Sequence, residues 1–478
     1  MTVSGRTAEV PLHLRFNDLK TMRPAEIFKT RGIYTMKKLL AMFLALVMAL
    51  GVTTVAWAEG EPTLSNGVWS NVTKDNVQDL LDGKYGNIDN TTIVLSAGDY
   101  NKLELRAAIV GTKYTCPHND PTDNTGPFTF DTVEAYKSHM SEKPHHGAAR
   151  VFTRTISNLT ISAQDGANVA GLDLLSRTYD GDQDPFVSGK TGYCVVFKIT
   201  GLTFSNVNFT GSVVISSQFS EDTSISGVTF ENCKFTTGGT ASGNGQAINY
   251  SNNLNNGKVK DLVVKDCEFK NCYQGVYTNG VTNVTVKNNA FDTIVHNAVA
   301  IQSPDDASTN HGNVVITENY FNTVADRVFR FNNAGEGTNV TINNNVMVNS
   351  GKENGELFKA TTIAEGASAN LENNYWSGKD AAKAVANESV RPSKIGVTGG
   401  TFSVDVTDYM ADGYKMVPNG DGTYTVKKIV HYYYHPTTDT KVDETKGSPK
   451  TFDAGVGIYA VTAVLSVTGM AWVGKKRH

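Results

Sequence analysis

The sequence has little of what a disulfide-built or nucleic-acid-binding protein needs. Cysteine is scarce: there are five in 478 residues, and an odd number cannot pair completely within one chain. Neither sign of charge is in excess, since 43 Lys and Arg against 47 Asp and Glu leave a formal net charge of −4. So mild an acidic balance offers no basic surface for nucleic acid. Disulfides are therefore not the main source of stability, and nucleic acid is not an expected partner.

Long uncharged apolar runs are confined to the two ends of the chain. The first lies in residues 36–58, where Lys37 and Lys38 precede an apolar stretch and a small-x-small sequence at 56–58. This order is typical of a signal peptide that is removed on export. Residues 1–35 precede it, and they are either a genuine extension or the result of a start codon assigned too early.

The second apolar run covers residues 454–473 and contains no charged side chain. At a rise of about 1.5 Å per residue, a helix of this length covers the roughly 30 Å of a bilayer core. A basic tail follows, and positive charge stays on the cytoplasmic side. The sequence therefore predicts a membrane anchor with its basic tail over 451–478, preceded by a polar, Thr-rich stalk over 431–450.

The stretch "SPKTFDAG" before this span resembles the sorting signal of Gram-positive wall-anchored proteins. Pro449, Lys450 and Thr451 match that signal, while Ser448 and Phe452 depart from it. Covalent attachment by a sortase at Thr451 therefore stays open. The predicted membrane anchor does not depend on it.

A nine-residue phrase returns seven times between the two ends, ending in an aromatic residue or Met. The steps between copies run from 22 to 34 residues. Such a period is too irregular for a propeller blade. The copies are "GLTFSNVNF" at 201, "GVTFENCKF" at 227, "DLVVKDCEF" at 261, "NVTVKNNAF" at 283, "NVVITENYF" at 313, "NVTINNNVM" at 339 and "SANLENNYW" at 368.

Within each copy apolar and polar residues alternate, which is the period of a β-strand. A second strand pattern follows each copy after a turn rich in Gly and Asn. Together these patterns resemble the pectin-lyase-like superfamily, which implies an all-β, right-handed parallel β-helix over residues 151–405. The position two before the final aromatic is Asn in four copies, and stacked coils about 4.8 Å apart would join these amides into a ladder.

Solenoids need covers over their open ends. Residues 59–110 are predicted to form an N-terminal cap and first coil. Within them, Val77, Leu80 and Leu81 have helical spacing. Residues 406–430 are predicted to form a C-terminal β cap.

An insertion at 111–150 concentrates cysteine and histidine. Its latter half resembles the helix of a Cys2His2 zinc finger, because an aromatic residue, an apolar residue and two histidines follow in that order. A thiolate and three imidazoles suit tetrahedral Zn²⁺, and a closed four-ligand site would be structural. The predicted ligands are Cys116, His118, His139 and His145, with His146 as the alternative to His145. The other interpretation is a polar loop with solvated histidines.

A second group of ionisable side chains lies on the flank of the coils. Its members are His296, Asp305, Asp306, His311, Asp326, Arg327 and Arg330. In β-helix lyases an Arg or Lys base works beside acidic groups, and in β-helix glycoside hydrolases paired Asp residues do the work. The resemblance therefore makes Asp305, Asp306, Arg327 and Arg330 the catalytic candidates. The alternative is that the adjacent Asp residues only bend the chain in a turn.

These patterns predict an exported, anchored β-helix protein of a Gram-positive cell surface. We expect a monomer that binds an extracellular glycan or a host matrix surface, as an adhesin without catalysis, and that contacts its own membrane through the C-terminal segment. This hypothesis predicts no acid/base pair within hydrogen-bond reach on the flank. The alternative is an anchored polysaccharide lyase or glycoside hydrolase. It predicts Asp305 or Asp306 within about 10 Å of Arg327 or Arg330.

Overall fold

The structure is a computed structural model, and it describes only part of the chain. The described residues are 60–116, 128–142, 151–174, 194–217, 221–239, 245–304, 308–348, 358–360, 366–377, 385–387 and 395–430. The predicted signal peptide, stalk and membrane anchor lie outside these ranges. In the described part, no helix is both long and apolar enough to span a bilayer.

The described residues form three sheets, named A, B and C here, which the chain visits in that order in successive coils; the last coil, Ile395–Val397 and Gly400–Phe402, has strands of sheets A and B. Equivalent residues of successive coils are neighbours: Val284 pairs with Val314 in sheet A, and Phe291 pairs with Phe321 in sheet B. The pairing between coils is parallel throughout. The few antiparallel pairs belong to hairpins at the two ends and in the insertion. The predicted parallel β-helix is confirmed.

The strands and helices have the following bounds. Sheet A contains Thr63–Ser65, Val68–Val72, Thr92–Leu95, Thr112–Cys116, Phe128–Phe130, Val151–Ala163, Cys194–Ser205, Ser224–Glu231, Val259–Lys265, Thr282–Lys287, Asn313–Thr317, Asn339–Asn343, Ser368–Glu372 and Ile395–Val397. Sheet B contains Gly98–Tyr100, Ala167–Val169, Asn208–Phe209, Lys234–Phe235, Glu268–Cys272, Ala290–Ile294, Tyr320–Val324, Val346–Val348, Asn374–Ser377, Gly400–Phe402, Tyr414–Pro418 and Tyr424–Lys428. Sheet C contains Leu103–Leu105, Leu172–Leu174, Val213–Ser217, Gln246–Asn252, Gln274–Asn279, Val299–Gln302, Phe329–Phe331, Phe358–Ala360 and Val385–Asn387. The helices are α1, Val77–Leu81, and α2, Val133–Glu142, with a one-turn 3₁₀ helix at Thr407–Tyr409.

The apolar half of the repeated phrase fills the inside of the coil. Val284, Val286 and Phe291 are fully buried, while Lys287 is exposed. The final aromatic residues of successive copies stack along the axis, with ring centroids 4.4 to 5.2 Å apart. The stacked rings are Phe209, Phe235, Phe269, Phe291 and Phe321. Strand alternation and coil spacing together therefore produce one continuous core.

The predicted asparagine ladder is present at the inside of the corner between sheets A and B. Asn289, Asn319, Asn345 and Asn374 are buried, and each side-chain amide donates to the Oδ1 of the next at 3.0 Å. Each Oδ1 also accepts a backbone N–H of the preceding coil, for example Asn289 N–H to Asn319 at 2.9 Å. Every amide thus finds partners, so no buried polar group is left unpaired on this ladder.

The residue before each ladder position bends the chain. Asn288, Asn344 and Asn373 have φ values of 54°, 55° and 52°, in the left-handed region. Asn tolerates this region because its short polar side chain bonds locally. The doubled Asn of the phrase therefore has two uses: the first turns the corner, and the second stacks inside it. Cys233 and Cys267 occupy the ladder position in earlier coils and remain buried thiols.

Both ends of the solenoid carry covers. At the N-terminal end, Val77, Leu80 and Leu81 of α1 are buried, as their spacing predicted. The Gln78 side chain satisfies the edge of sheet C, because its amide donates to the Glu104 carbonyl at 2.9 Å and accepts the Glu104 N–H at 3.0 Å. At the C-terminal end, the hairpin of Tyr414–Pro418 and Tyr424–Lys428 pairs antiparallel with Gly400–Phe402, the last parallel strand of sheet B.

The insertion extends sheet A beside the first coils. Its strand Thr112–Cys116 pairs antiparallel with the start of Val151–Ala163, and Phe128–Phe130 pairs with it on the other side. The buried Arg154, on Val151–Ala163, joins this strand to the cap and first coil, since its guanidinium donates to the carbonyls of Arg106 and Leu81. Burial lowers the pKa of Arg154 to about 10, and nearby carboxylates oppose that effect.

Candidate functional site

Ionisable and aromatic side chains gather where the chain passes from sheet B to sheet C. This place is called the B–C corner here. The strands on its sheet B side are in register, with Cys272 paired to Ile294 and Ile294 to Val324. The next residues follow this register: the His296 N–H donates to the Tyr273 carbonyl at 2.8 Å. The fold thus brings together side chains from different coils.

Asp326 connects the polar side chains of the B–C corner. Its Oδ2 accepts a hydrogen bond from His296 Nδ1 and another from Arg327 Nη1 at 2.6 Å. The three side chains are between 20% and 25% exposed, so they reach solvent from a partly enclosed position. Because a carboxylate only accepts, the imidazole proton lies on Nδ1 when His296 is neutral. His296 Nε2 is then the nitrogen that accepts a proton.

The surroundings keep Asp326 ionised. Burial by itself raises the pKa of this carboxyl, but the hydrogen bond from His296 and the charges of Arg327 and Arg330 outweigh it. The pKa of Asp326 consequently lies below its ordinary value of 3.8. An ionised Asp326 fixes the orientation of both His296 and Arg327 near neutral pH.

Aromatic and apolar surface lies beside these polar groups. The Tyr273 ring is tilted by 39° against the His296 imidazole, with centroids 5.3 Å apart. Val295, the preceding residue, is 43% exposed, which is unusual for a large apolar side chain in this chain. The B–C corner therefore presents an aromatic face, an apolar side chain and three hydrogen-bonding groups together.

The backbone is strained just before the corner. Thr293 and Thr323 have φ values of 57° and 56°, in the left-handed region. In the preceding coil the same position is occupied by Asn271, with φ of 52°. A β-branched residue in this conformation is a genuine outlier, and such strain persists where the surrounding structure imposes it. The two threonines hold the turn in a shape that their own preference opposes.

The outward row of sheet C continues from the corner. Register aligns Asn249, Tyr277, Ala300 and Arg330 across four coils. In this row Ala300 is fully buried, while Asn249, Tyr277 and Arg330 are partly exposed. Burial raises the pKa of Tyr277, and the charge of Arg330 opposes it. The charge of Arg330 also lowers the pKa of Asp326, so this row adjoins the B–C corner.

The structure describes only two of the four predicted catalytic residues. Arg327 and Arg330 lie on the B–C corner and its adjoining row, whereas Asp305 and Asp306 lie outside the described residues. Their separation from the arginines stays a prediction. His311, from the same stretch of sequence, is fully buried; its Nδ1 bonds the Val281 carbonyl at 2.8 Å and its Nε2 faces Ser303 Oγ at 3.3 Å. That histidine is part of the core.

The structure also describes only two of the four predicted metal ligands. Cys116 ends a strand and His139 lies on α2, but His118 and His145 lie outside the described residues. Among the residues that the structure does describe, no three His, Cys, Asp or Glu side chains gather as a metal site. Four-ligand coordination therefore stays a prediction.

Sequence reasoning named His296, Asp326 and Arg327 on the flank but missed that they touch, and it missed Tyr273 altogether. The feature of the sequence that could have identified these contacts was the coil register. Tyr273, His296 and Asp326 each follow the last buried residue of a sheet B strand by one or two positions. Because the coil is 22 residues long from Cys272 to Ile294 and 30 residues long from Ile294 to Val324, simple spacing hides the alignment.

A family model described as "Right handed beta helix region" matches residues 187–376. This range is less than half of the chain, and it contains the whole B–C corner. The chain therefore resembles a right-handed β-helix in sequence as well as in its parallel sheets. No curated protein matches it.

One solved structure is similar to the chain, the crystal structure of iota-carrageenase family GH82 from A. fortis in absence of chloride ions. The two share 9% sequence identity over 79% of this chain and 70% of that one, with a TM-score of 0.19. At that TM-score the likeness adds nothing about the fold or the chemistry of the B–C corner.

Proposed function

We propose that this protein is an exported surface β-helix that binds an extracellular glycan at the B–C corner. The observation that supports it is the contact of Tyr273 with His296, and of His296 and Arg327 with Asp326. Sugars expose both apolar C–H faces and hydroxyl groups. A flat aromatic face beside a few fixed polar groups is the composition that suits such a ligand.

The rigidity of the coil favours binding. Residues of the B–C corner are positioned by a continuous stack of strands, and Asp326 locks the side chains that would otherwise lose rotamer freedom on binding. Preorganised groups bind with a smaller entropy cost. The adjoining partly enclosed row, with Tyr277 and Arg330, extends the surface along the solenoid, which suits a polymer of several sugar units.

The cellular location proposed for the protein is argued from the sequence. The signal peptide at 36–58 and the apolar segment at 454–473 favour export followed by anchoring in the membrane. The glycan would then belong to the cell envelope or to a host matrix. Both sources share the same chemistry, and the binding experiment separates them by including both.

A glycan array probed with the full chain in detergent tests this function. We expect binding to one class of polymer and a loss of about tenfold or more on Tyr273→Ala, because an aromatic anchor in a small site carries much of the binding energy. Tyr424→Ala is the matched control, since Tyr424 is a 38% exposed tyrosine on the distant C-terminal hairpin. Equal loss in both variants, or no glycan bound by the wild type, would overturn the proposal.

Catalysis on the bound glycan is the second candidate, and one observation favours it. The non-catalytic hypothesis expects no acid/base pair within hydrogen-bond reach on the flank, yet His296 and Asp326 form such a pair. With Nδ1 held by the carboxylate, Nε2 faces away from Asp326 as a general base. Arg327, which bonds the same carboxylate, would stabilise negative charge that develops nearby.

Chain length of the bound polymer separates binding from catalysis. Incubation with the array's best ligand, followed by size analysis, shows unchanged polymer if the surface only binds. Cleavage that disappears in His296→Gln while binding persists would instead establish a lyase or hydrolase. Asp305→Asn and Asp306→Asn test the carboxylates that the sequence put forward.

A further inference from the structure

We propose that Cys233 and Cys267 form a disulfide bond that joins two consecutive coils of the β-helix. The proposed glycan surface involves neither thiol, so this modification site is separate from that function. Both cysteines lie in described coils, and their register, their burial and their mutual contact support the bond.

The two cysteines lie one above the other at the corner between sheets A and B. Lys234 pairs with Glu268, and the Glu268 N–H donates to the Cys233 carbonyl at 2.9 Å. The residues that precede the two cysteines, Asn232 and Asp266, have left-handed φ values of 52° and 56°. The chain therefore turns in the same way in both coils, and both thiols are buried inside the corner, as the ladder asparagines are.

The spacing of the coils permits a bond between the two sulfur atoms. Neighbouring strands lie about 4.8 Å apart, and a disulfide requires Cα atoms between about 4.4 and 6.8 Å apart. Because consecutive coils hold the two cysteines at equivalent positions, side-chain rotation and a small approach of the Cβ atoms are enough to form the bond. The fold does not have to rearrange.

The Cys267 thiol interacts with both the side chain and the backbone of Cys233. Burial raises the pKa of Cys267, the hydrogen bond and charge of the Cys233 thiol raise it further, and a backbone hydrogen bond from Cys233 opposes these effects. At the equivalent place in the ladder, the Asn289 N–H donates to Asn319 Oδ1 at 2.9 Å. The sulfur of Cys267 thus takes the place of an asparagine oxygen, directly beside Cys233.

The neighbouring ladder positions leave the two cysteines to pair with each other. Val207 occupies the position one coil earlier, and its carbonyl accepts the Lys234 N–H at 2.9 Å. Asn289 occupies the position one coil later, and its Oδ1 accepts the Cys267 N–H at 2.8 Å. Cys272 ends a strand of sheet B, where its sulfur is 3.5 Å from the Phe235 carbonyl.

Formation of the bond requires an acceptor for two electrons, which we take to be a low-molecular-weight disulfide or the disulfide of an exported oxidoreductase. The thiolate of one cysteine attacks this external disulfide and expels a thiolate, which takes up a proton. The second cysteine then attacks the mixed disulfide and expels the other half in the same way. The two cysteines lose two protons and two electrons, and the acceptor becomes two thiols. The proposed export would bring the chain to such oxidants.

Burial determines when the bond can form. Cys233 is 1% exposed and Cys267 is 3% exposed. The raised pKa of Cys267 also disfavours the thiolate that exchange requires. An oxidant therefore reaches the two thiols before the coils close, and a reductant reaches the finished bond only when the coils open. We expect a bond that is made during folding and is protected afterwards.

Oxidative refolding of the full chain in detergent tests the proposal. The reduced, urea-unfolded protein is refolded with oxidised glutathione, alkylated and digested, and mass spectrometry separates linked peptides from glutathione adducts. We expect the peptide that joins Cys233 to Cys267 to exceed every other linked pair about tenfold or more. Folded, reduced protein given the same oxidant should form this peptide at least about tenfold more slowly.

Two variants separate pairing of the thiols from folding. Cys272→Ser removes a different buried thiol and should still form the bond. Cys233→Val copies Val207 of the preceding coil, and it should fold while Cys267 stays unlinked. A wild type that refolds with Cys233 and Cys267 unlinked overturns the proposal, and so does a bond from Cys267 to Cys272. Equally fast oxidation of the folded and unfolded protein would contradict protection by the coils.

Discussion

Two corners of the same coil differ in sequence: one repeats the same residue in successive coils, and the other does not. At the corner between sheets A and B, coil after coil repeats one side chain, and Asn289, Asn319 and Asn345 bond to one another in an unbroken ladder. At the B–C corner, successive coils place Tyr273, His296 and Asp326 at the turn. The geometry repeats in both, while the chemistry repeats in only one.

This difference between the two corners shows which positions of a solenoid have to repeat the same residue. A buried polar position has to match its neighbours above and below, because an unpaired amide costs about 1–3 kcal/mol. A partly exposed corner has no such restriction, since water satisfies whatever its neighbours leave unpaired. Stability therefore depends on the corner that stays the same, and recognition is expected at the corner that varies.

Breaking the asparagine ladder in its middle should have the largest effect. In Asn319→Ala, the Asn289 N–H and side-chain amide, the Val286 carbonyl and the Asn345 Oδ1 all lose a partner. We expect the free energy of unfolding to fall by about 3–5 kcal/mol, at about 1–3 kcal/mol for each unpaired group with partial relaxation. Urea denaturation of the full chain measures it.

Asn322→Ala is the matched control for that experiment. Asn322 is partly exposed and its amide bonds Asp292 on the outside of sheet B at 2.7 Å. Losing a partly exposed bond of this kind should cost about 1 kcal/mol, because water can replace the lost partner. If Asn319→Ala is no more destabilising than Asn322→Ala, the ladder is not what holds the coils in register.

Removing strain at the B–C corner should have a smaller effect of opposite sign. Thr293→Asn copies the residue that the preceding coil uses at this position, and Thr293 is exposed, so little contact is lost. We expect a gain of about 1 kcal/mol in the free energy of unfolding, because Asn accepts the left-handed conformation that Thr resists. Differential scanning calorimetry measures the change. A loss of stability would show that Thr293 makes contacts that outweigh the strain.

The pH dependence of Asp326 should be the smallest of these effects. A carboxyl whose folded pKa is depressed stabilises the protein above its unfolded pKa, ordinarily 3.8, and loses that contribution as pH falls through the folded pKa. Wild type should therefore exceed Asp326→Asn in stability above about pH 4, by less than about 1 kcal/mol because the pair is partly exposed. The gap should close on further acidification. A gap that persists at low pH would mean that Asp326 acts through packing instead of charge.

The sequence predicts the corner between sheets A and B better than it predicts the B–C corner. The Asn ladder follows from the repeated phrase, since strand alternation fixes which side chains point inwards and coil spacing brings them together. The contact of His296 with Asp326 does not follow, because it depends on how many residues each coil inserts before the turn. The family resemblance favoured Asp305 and Asp306, which lie outside the described residues and stay a prediction. The carboxylate that reaches the histidine is 30 residues away along the chain and one coil away in space.

Gln78 also covers a strand edge to which a second chain could add a strand. An uncovered rung of a parallel stack is a template on which a second chain can add its own rung, and repetition of that step produces a fibre. Gln78 occupies the Glu104 N–H and carbonyl at one end, and the antiparallel hairpin pairs with the last strand of sheet B at the other. We therefore expect Gln78→Leu to favour head-to-tail polymerisation. A single amide side chain then helps to prevent the solenoid from extending into a fibre.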